Sequence, residues 1–392
     1  MEIPFYNFSK LHNPLFNELA LERIKKIMSE NSFIDGQYNQ QLESDLAKML
    51  NNKHCLLLAN GTDALEISLL ALGLKPGDVV AVPSLSFYAT AEAVINVGGV
   101  GVFVDIDQKN GLMSVDSLKR VYEKTPFKFV IPVHLYGMPA PIAEIEEFCL
   151  PRGIKIIEDA AQAIGGTYSK EVTNDKSVMP NLTSNQGSKS WIGSSKNLTT
   201  LSFYPTKNLG GMGDAGAILT HSDELAEKIK SIRNHGRGAP GQIGFQVIGR
   251  NSRCDHFQAA IIHLKLNDLI PQNENRKTIA ETYSQHLKNL IDDHVIEFPS
   301  SSLINHSSFH LLPILLRDEK IKYQLRDHLK AHSVATMTFY ERSLPEEKTL
   351  LSWPGEKENG QNFAQRVLCL PIHPFLSEKE VIYVCETLKK FF

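Results

Sequence analysis

The chain has 392 residues, 42% hydrophobic and 22% charged, with a formal net charge of −3. Such a composition is expected of an ordinary globular chain large enough for two domains, and the near-balanced charge, with no run of basic residues, excludes a nucleic-acid or polyanion tail. No stretch reaches the roughly 18 apolar residues of a membrane span. The opening MEIPFYNFSK lacks a leader pattern, and Cys55, Cys149, Cys254, Cys369 and Cys385 form no C-x-x-C pair. We therefore expect a cytoplasmic protein with no zinc site or disulfide framework, and no nucleic-acid or membrane partner.

In chain order, the apolar spacing predicts amphipathic helices over 16–31 and 41–50. Cys55–Ala59 then reads as a buried strand, followed by Asn60, Gly61, Thr62 and Asp63 and a helix through Leu72. A helix entered through Gly61 and Thr62 leaves free backbone N–H groups and a hydroxyl at one spot, which makes an anion site. The plainer alternative is an N-cap by Thr62 or Asp63. Next, KPGDVVAVPSLSFYATAEAVINVGG reads as turn, strand, loop and helix. GVFVDID, FVIPVHLYG and IKIIEDAAQA repeat the pattern of a strand ending in a polar residue, with a helix over Ala143–Cys149. This alternation predicts a mostly parallel central sheet flanked by helices, an α/β fold whose ligands bind at the carboxyl ends of the strands. Phe87, His134, Asp159, Gln162 and Ser202 stand at those ends.

Asp159 follows Ile156 and Ile157, so its carboxylate is expected in apolar surroundings where it needs a cationic partner. A protonated pyridine nitrogen would serve, with Phe87 stacked on that ring. A structural ion pair for Asp159 and a core position for Phe87 are the alternatives. His134, Asp105 and Asp107 are assigned no catalytic role. Lys207 follows a predicted strand over Thr199–Phe203 and precedes Gly210, Gly211, Gly213 and Gly216, in a loop expected to turn tightly beside a ligand. Gly211, Gly213 and Gly216 fit the G-x-G-x-x-G of a dinucleotide fold, but the strand expected at Ala217–Thr220, where that motif needs a helix, rules the motif out. Lys207, Asp159, Phe87 and the Gly61–Thr62 turn together point to a pyridoxal phosphate site.

The strings NGTDAL, LKPGD, SFYATAEAV, VFVDID, PVHLYG, EDAAQA, SFYPTKNLG, GDAGAILT and GRNSRCDHFQAAI occur in this order over nearly the whole chain. In them the chain resembles the DegT/DnrJ/EryC1/StrS sugar aminotransferases, fold type I of the pyridoxal 5'-phosphate enzymes. The resemblance implies Lys207 as the lysine bonded to the cofactor, Asp159 on the ring nitrogen, Gln162 beside the ring oxygen and Phe87 stacked on the ring. Gly61, Thr62 and Ser202 would hold the phosphate, helped by Asn251 of a neighbouring subunit in a homodimer with shared sites. A cap on the helix beginning near Asp255 is the alternative role for Asn251.

The resemblance implies transfer of an amino group from L-glutamate to a nucleotide-linked keto sugar. The loop SFYPTKNLG with GDAG resembles members acting at C3 of a dTDP-linked 6-deoxy sugar. Action at C4, and a non-catalytic cofactor-binding regulator, are the alternatives. Two departures stand out. Residues 169–198 form a polar insertion, expected as a loop or extended hairpin whose Trp191 either meets a substrate or subunit or decorates the surface. In TFYERSLP, Tyr340 remains as a substrate-binding candidate although its flanks differ from the family pattern. Residues 1–268 are expected to form the large cofactor-binding domain, and 269–392 a small α+β domain with a long helix over Pro271–Leu290, a strand over Ser308–Leu316 and helices over Lys322–Ala331 and Glu378–Phe391.

Overall fold

A computed structural model describes residues 1–169, 190–238, 241–299 and 301–392. Among the described residues nine strands follow in chain order: β1 (His54–Leu58), β2 (Val79–Pro83), β3 (Val100–Val104), β4 (Phe129–Val130), β5 (Lys155–Asp159), β6 (Leu198–Ser202), β7 (Gly216–Thr220), β8 (Leu312–Leu315) and β9 (Val367–Leu370). The first seven form one sheet in the order β1-β7-β6-β5-β4-β2-β3. All its neighbours pair in parallel except β7, which runs antiparallel to β1 and β6. The β6–β7 connection contains no helix, and without a crossover the chain can only return antiparallel. β1, β5 and β6 consequently end on one edge of the sheet, and the residues that leave them converge there.

The strands are buried almost throughout, as a sheet covered on both faces requires. Helices at Gly61–Ala71, Ala89–Asn96, Val115–Lys124, Ile142–Cys149 and Asp223–Arg233 follow the strands, while Pro14–Glu30, Gln37–Met49 and His256–Lys265 pack as a group. β4 is shorter than FVIPVHLYG suggested. Pro132 has no N–H to donate, so the chain keeps only an isolated bridge from Val133 to Asp159.

β8 and β9 form a separate antiparallel pair. Helices Leu269–His286, Glu319–Ala331 and Glu378–Lys389 surround it, and their core includes Tyr283, Leu325, Leu368 and Val384. Ile3 also enters this second core and bridges to Val334, although the sequence grouped the N-terminus with the large unit. The long helix starts at Leu269, with Pro271 in its first turn where no intrahelical donor is needed. The strand expected over Ser308–Leu316 contracts to β8, because Ser308 bonds instead to Gly137 O and Gln162 O beside the site.

The insertion leaves the body as a hairpin base: Thr167 and Trp191 bridge antiparallel, and Trp191 packs half-buried against the main core. Trp191 is thus neither a surface decoration nor a cavity residue. The centre of the insertion, residues 170–189, lies outside the described residues. No helix among the described residues is long and apolar enough to cross a membrane.

Candidate active site

A cavity of about 700 Å³ opens at the shared edge of β1, β5 and β6. Gly61, Thr62, Phe87, Asp159, Gln162, Ser202, Lys207 and Tyr340 all line it. Of the residues assigned a site role from sequence, Asn251 lies elsewhere.

One wall is the start of helix Gly61–Ala71. Its N-cap is Asn60, whose Oδ1 accepts from Asp63 N at 2.8 Å, rather than Thr62 or Asp63 as the alternative reading had it. The Gly61 and Thr62 N–H groups and the Thr62 hydroxyl have no partner among the described residues, so they remain open to an anion, as a helix N-terminus favours. Ser202, at the end of β6, closes this corner: a Cβ on Gly61 would lie 2.9 Å from Ser202 Cβ.

Across the cavity, Asp159 ends β5 and is almost fully buried. Its Oδ2 accepts from Thr90 Oγ1 at 3.0 Å and its Oδ1 from Ala161 N at 3.1 Å; Ser86 Oγ lies 2.8 Å from Thr90 Oγ1. Burial raises the Asp159 pKa, while Ala161, Thr90 and Lys207 oppose the rise. A cation at the free side of this carboxylate would hold it ionised. Gln162 is oriented at both ends, Oε1 accepting from Tyr136 N at 2.6 Å and Nε2 donating to Tyr340 OH at 2.9 Å. Phe87 is exposed, not core, and faces Tyr340 with ring centroids 6.0 Å apart. A flat ring between the Gly61 corner and Asp159 would find an anion site for a phosphate, a carboxylate for a ring nitrogen and an aromatic face. The side chains present therefore fit pyridoxal 5'-phosphate.

Lys207 keeps part of its surface open to the cavity, and burial of the rest lowers its ammonium pKa to about 8 against the opposing pull of Asp159. Its loop is anchored from the C-terminal side. Asn208 Nδ2 donates to Asn273 Oδ1 and Ser308 O, each at 2.8 Å, and Asn208 Oδ1 lies 3.2 Å from His310 Nδ1. An amide oxygen only accepts, so that histidine nitrogen carries the proton. Burial, then Lys207 and Arg276, push the His310 pKa well down, so it stands neutral beside the lysine.

The glycines of this loop do not touch the cavity, contrary to expectation. A Cβ on Gly210 would lie 2.3 Å from Pro205 O, and one on Gly216 would lie 2.4 Å from Asn60 O. Both positions serve close backbone approach. β7 follows them, so the dinucleotide motif has no helix to open onto.

The sequence reading missed Tyr6, Ser86, Thr90, Thr206, Asp214, His310 and Glu341, which line the same cavity. Thr90 carried a signal, standing one helical turn after Phe87. Tyr6 carried none, since only the docking of the N-terminus on the C-terminal core brings it here.

His134 and Asp105 have other work. His134 Nδ1 accepts from Ala140 N at 3.0 Å, so Nε2 carries the proton donated to Glu158, 2.9 Å away in a fully buried network. Asp105 accepts from Ser84 Oγ, Asn359 N and Gly360 N, tying β3 to the C-terminal helix Glu358–Arg366. Asp107 accepts from Lys109 N in a turn. Asn251 is exposed, bridges to Asn234 and accepts from Arg253 Nη2 at 3.0 Å. The helix it was an alternative cap for is flanked by Asp255 instead. Among the described residues no cluster of His, Cys, Asp and Glu could hold a metal ion.

The family model described as the DegT/DnrJ/EryC1/StrS aminotransferase family matches residues 15–389. The chain is 35% identical over 400 residues to a pleiotropic regulatory protein of Geobacillus stearothermophilus, covering 100% of this chain and 99% of that one. It is 33% identical over 390 residues to a UDP-N-acetyl-3-dehydro-alpha-D-glucosamine 3-aminotransferase of Acidithiobacillus ferrooxidans, covering 99% and 97%. A Bacillus subtilis structure with the cofactor PMP bound superposes with a TM-score of 0.85 at 31% identity, covering 99% of this chain and 85% of that one.

Proposed function

The chain belongs to the DegT/DnrJ/EryC1/StrS aminotransferase family, and from that premise we propose that it transfers an amino group from L-glutamate to C3 of a nucleotide-linked 6-deoxy keto sugar, with dTDP as the nucleotide. It is a pyridoxal 5'-phosphate-dependent sugar aminotransferase of fold type I. When bound, the cofactor supplies the electron sink and carries the amino group between the two substrates.

The chain's own residues supply the rest. Gly61, Thr62 and Ser202 would hold the phosphate, Asp159 would keep the ring nitrogen protonated, and Gln162 and Phe87 would meet the ring. Lys207 would be the residue bonded to the cofactor, and as a free amine it would take and return the proton at the substrate carbon that gains or loses nitrogen. A pKa of about 8 suits that work near neutral pH. Tyr340, bonded to Gln162 and facing Phe87, lines the cavity as the candidate substrate contact. The observation that carries this reading is the meeting of Lys207 and Asp159 in one cavity with a helix start whose Gly61 and Thr62 N–H groups have no partner among the described residues.

Asn251 completes the phosphate site from a second copy in a homodimer. The support is its place outside the cavity of its own chain, next to a segment in which Ile243 is 98% and Ile248 95% exposed. Such apolar exposure is the mark of a surface covered by a partner. The cytoplasm is the proposed setting; all five cysteines are buried thiols.

The choice of C3 rests on the Lys207 loop, whose Asp214 lines the cavity, and on the Acidithiobacillus ferrooxidans relative, named as a 3-aminotransferase. The test supplies glutamate with matched dTDP-linked 3-keto and 4-keto 6-deoxyhexoses and locates the new amine by NMR. Amination at C4 alone would refute C3 and leave the aminotransferase standing. The name of the Geobacillus stearothermophilus relative favours a second reading, a cofactor-binding regulator without turnover. A regulator has no need of a proton-transferring lysine with a lowered pKa, and a cofactor spectrum that glutamate leaves unchanged would support it over the first.

A further inference from the structure

We infer that the C-terminal part of the chain holds Lys207 in register with the turn after Asp159 through one buried amide, and that Asn208 is therefore a positioning residue for the amino transfer. The inference rests on the proposed role of Lys207 as the proton-transferring amine.

Asn208 follows Lys207, yet neither it nor the two residues its side-chain nitrogen meets lines the cavity. Its amide engages three distant residues. Nδ2 donates to Asn273 Oδ1 and to Ser308 O, each at 2.8 Å, and Oδ1 accepts from His310 Nδ1 at 3.2 Å. These directions cannot be interchanged, because Ser308 O is a main-chain carbonyl that only accepts and so requires the Asn208 nitrogen. Both donor contacts then continue to one place. Asn273 Nδ2 donates to Ile164 O at 3.0 Å, and Ser308 Oγ donates to Gln162 O at 3.2 Å. Two struts thus run from the residue beside the amine, one through the helix Leu269–His286 and one through the approach to β8, into the turn at 162–164 that follows β5 and Asp159. Asn208, Asn273 and Ser308 are all buried, so water does not compete for these bonds.

The Lys207 loop has other supports for its own fold. Lys207 N donates to Tyr204 O and Gly211 N to Phe203 O, both at 2.8 Å, and Leu209 is fully buried in the main core. Had packing been the need, apolar side chains at 208 and 273 would fill the space without buried polar atoms to satisfy. What the amides add is direction, since a hydrogen bond fixes an angle as well as a distance and a closed network of them specifies one arrangement. Lys207 stands on a loop beyond β6, whereas Asp159 ends β5 and Gln162 lies in the turn beyond it. Pairing of β5 with β6 aligns the strand ends but not the loop against the turn. The struts close that gap. Proton transfer is sensitive to it, because a misplacement of about 1 Å can cost roughly a hundredfold in rate.

The experiment measures kcat and KM for glutamate, the rate at which glutamate changes the cofactor spectrum, and hydrogen exchange of the cofactor-free protein in peptides spanning 203–211 and 160–166. Asn208→Ala cuts both struts and leaves room for water to meet the released groups, so the fold should survive. It should lower kcat and the spectral rate by about tenfold or more with KM hardly moved, because the loss is of placement and not of binding. Ser308→Ala cuts only the contact with Gln162 and should lower both by a smaller factor, although its side chain touches neither Lys207 nor the cavity. Exchange should quicken in both peptides of Asn208→Ala, and in the 160–166 peptide of Ser308→Ala. Asn273→Ala cuts the other strut, should also quicken both peptides, and serves should Asn208→Ala fail to fold. An Asn208→Ala protein with unchanged kcat, or with exchange quickened in 203–211 alone, overturns the inference, for the amide would then support only its own loop. A wild type inert to glutamate whose Asn208→Ala variant still quickens both peptides overturns the proposed amino transfer, and the positioning role with it, while the coupling of loop to turn stands.

Discussion

Glu158 and Asp159 are neighbours on β5, yet their carboxyl groups are pushed in opposite directions. Burial acts to raise both. At Glu158 the rise is overcome by hydrogen bonds from His134, Ser195 and Asn197 and by the partial charge of His134, and the pKa falls. Tyr168 OH also donates to Glu158, at 2.8 Å. At Asp159, which has fewer donors, burial wins. Strand alternation separates the two: one carboxylate is saturated by the protein, and its neighbour is left on the cavity side with capacity for a cation.

The pair yields a contrast of mutants. Asp159→Asn should fold normally and lose turnover by roughly tenfold to a thousandfold, the loss of protonated ring nitrogen that follows from removing the one to three pKa units an adjacent opposite charge supplies. Glu158→Gln should do the reverse. It turns an amide N–H towards donors and should cost roughly 3 kcal/mol of stability, with a much smaller loss of kcat in the protein that remains folded. Urea unfolding and steady-state kinetics on both variants check this. Equal losses of activity at equal stability would remove the distinction.

Lys207 makes the stability of the cofactor-free protein depend on pH. Its folded pKa of about 8 lies below the roughly 10.4 of an exposed lysine. Between those values the unfolded chain binds more protons than the folded one, so stability rises with pH across that window. Below about pH 8 the full cost of burying the ammonium is present, on the order of 3 kcal/mol. Replacing the charge by an apolar chain, as in Lys207→Met, should stabilise the cofactor-free protein at about pH 7 and lose that advantage by about pH 10, while abolishing turnover at every pH. Unfolding free energies of wild type and variant at the two pH values measure the effect. A constant difference would show that the lysine is charged in the folded state throughout.

Much of this was readable in advance for a physical reason. A parallel sheet sends its ligand-facing groups to strand ends, so apolar runs ending in Asp159 and Ser202 marked the site before its shape was known. Gly61 and Thr62 were readable because a helix start advertises its free donors. Tyr6, His310 and Glu341 were not, since each reaches the cavity by packing between distant parts of the chain. The loop glycines misled because a glycine run signals close approach without saying to what. Here it is to Pro205 and Asn60, not to a ligand. The turn at Tyr136 and Gly137 was equally silent, though its φ of 62° at Tyr136 turns an N–H onto Gln162.

Gly216 offers a test of how tightly the anion corner is held. Its φ is not in the left-handed region, so alanine is excluded only by space, through the 2.4 Å approach to Asn60 O. Gly216→Ala should displace Asn60, loosen the cap on Asp63 N and shift the Gly61 and Thr62 donors. A loss of roughly 1–3 kcal/mol is the usual cost of such overpacking. Cofactor affinity should fall by about tenfold, the equivalent of about 1.4 kcal/mol. Fluorescence titration with pyridoxal 5'-phosphate reads the second effect. Unchanged affinity would place the phosphate away from this helix start.

The proposal that Asn251 serves a neighbouring chain makes a prediction that a site within one chain cannot imitate. Asn251 Oδ1 is engaged by Arg253, but its Nδ2 has no partner among the described residues and points from an exposed position. Asn251→Ala should therefore leave the isolated chain's packing intact and weaken the cofactor phosphate contact in the dimer. Lys207→Ala should remove chemistry altogether. In a heterodimer of the two, one site combines Lys207 of the Asn251→Ala chain with Asn251 of the Lys207→Ala chain and is complete, whereas the other lacks both. A two-fold assembly with exchanged residues thus predicts about half the wild-type rate per heterodimer. Differently tagged chains, co-expressed and purified through both tags, give the heterodimer without statistical mixing. Sites closed within one chain would leave one site without Lys207 and the other without Asn251. Activity no greater than half that of the Asn251→Ala homodimer would therefore refute the sharing, even if the protein is a dimer.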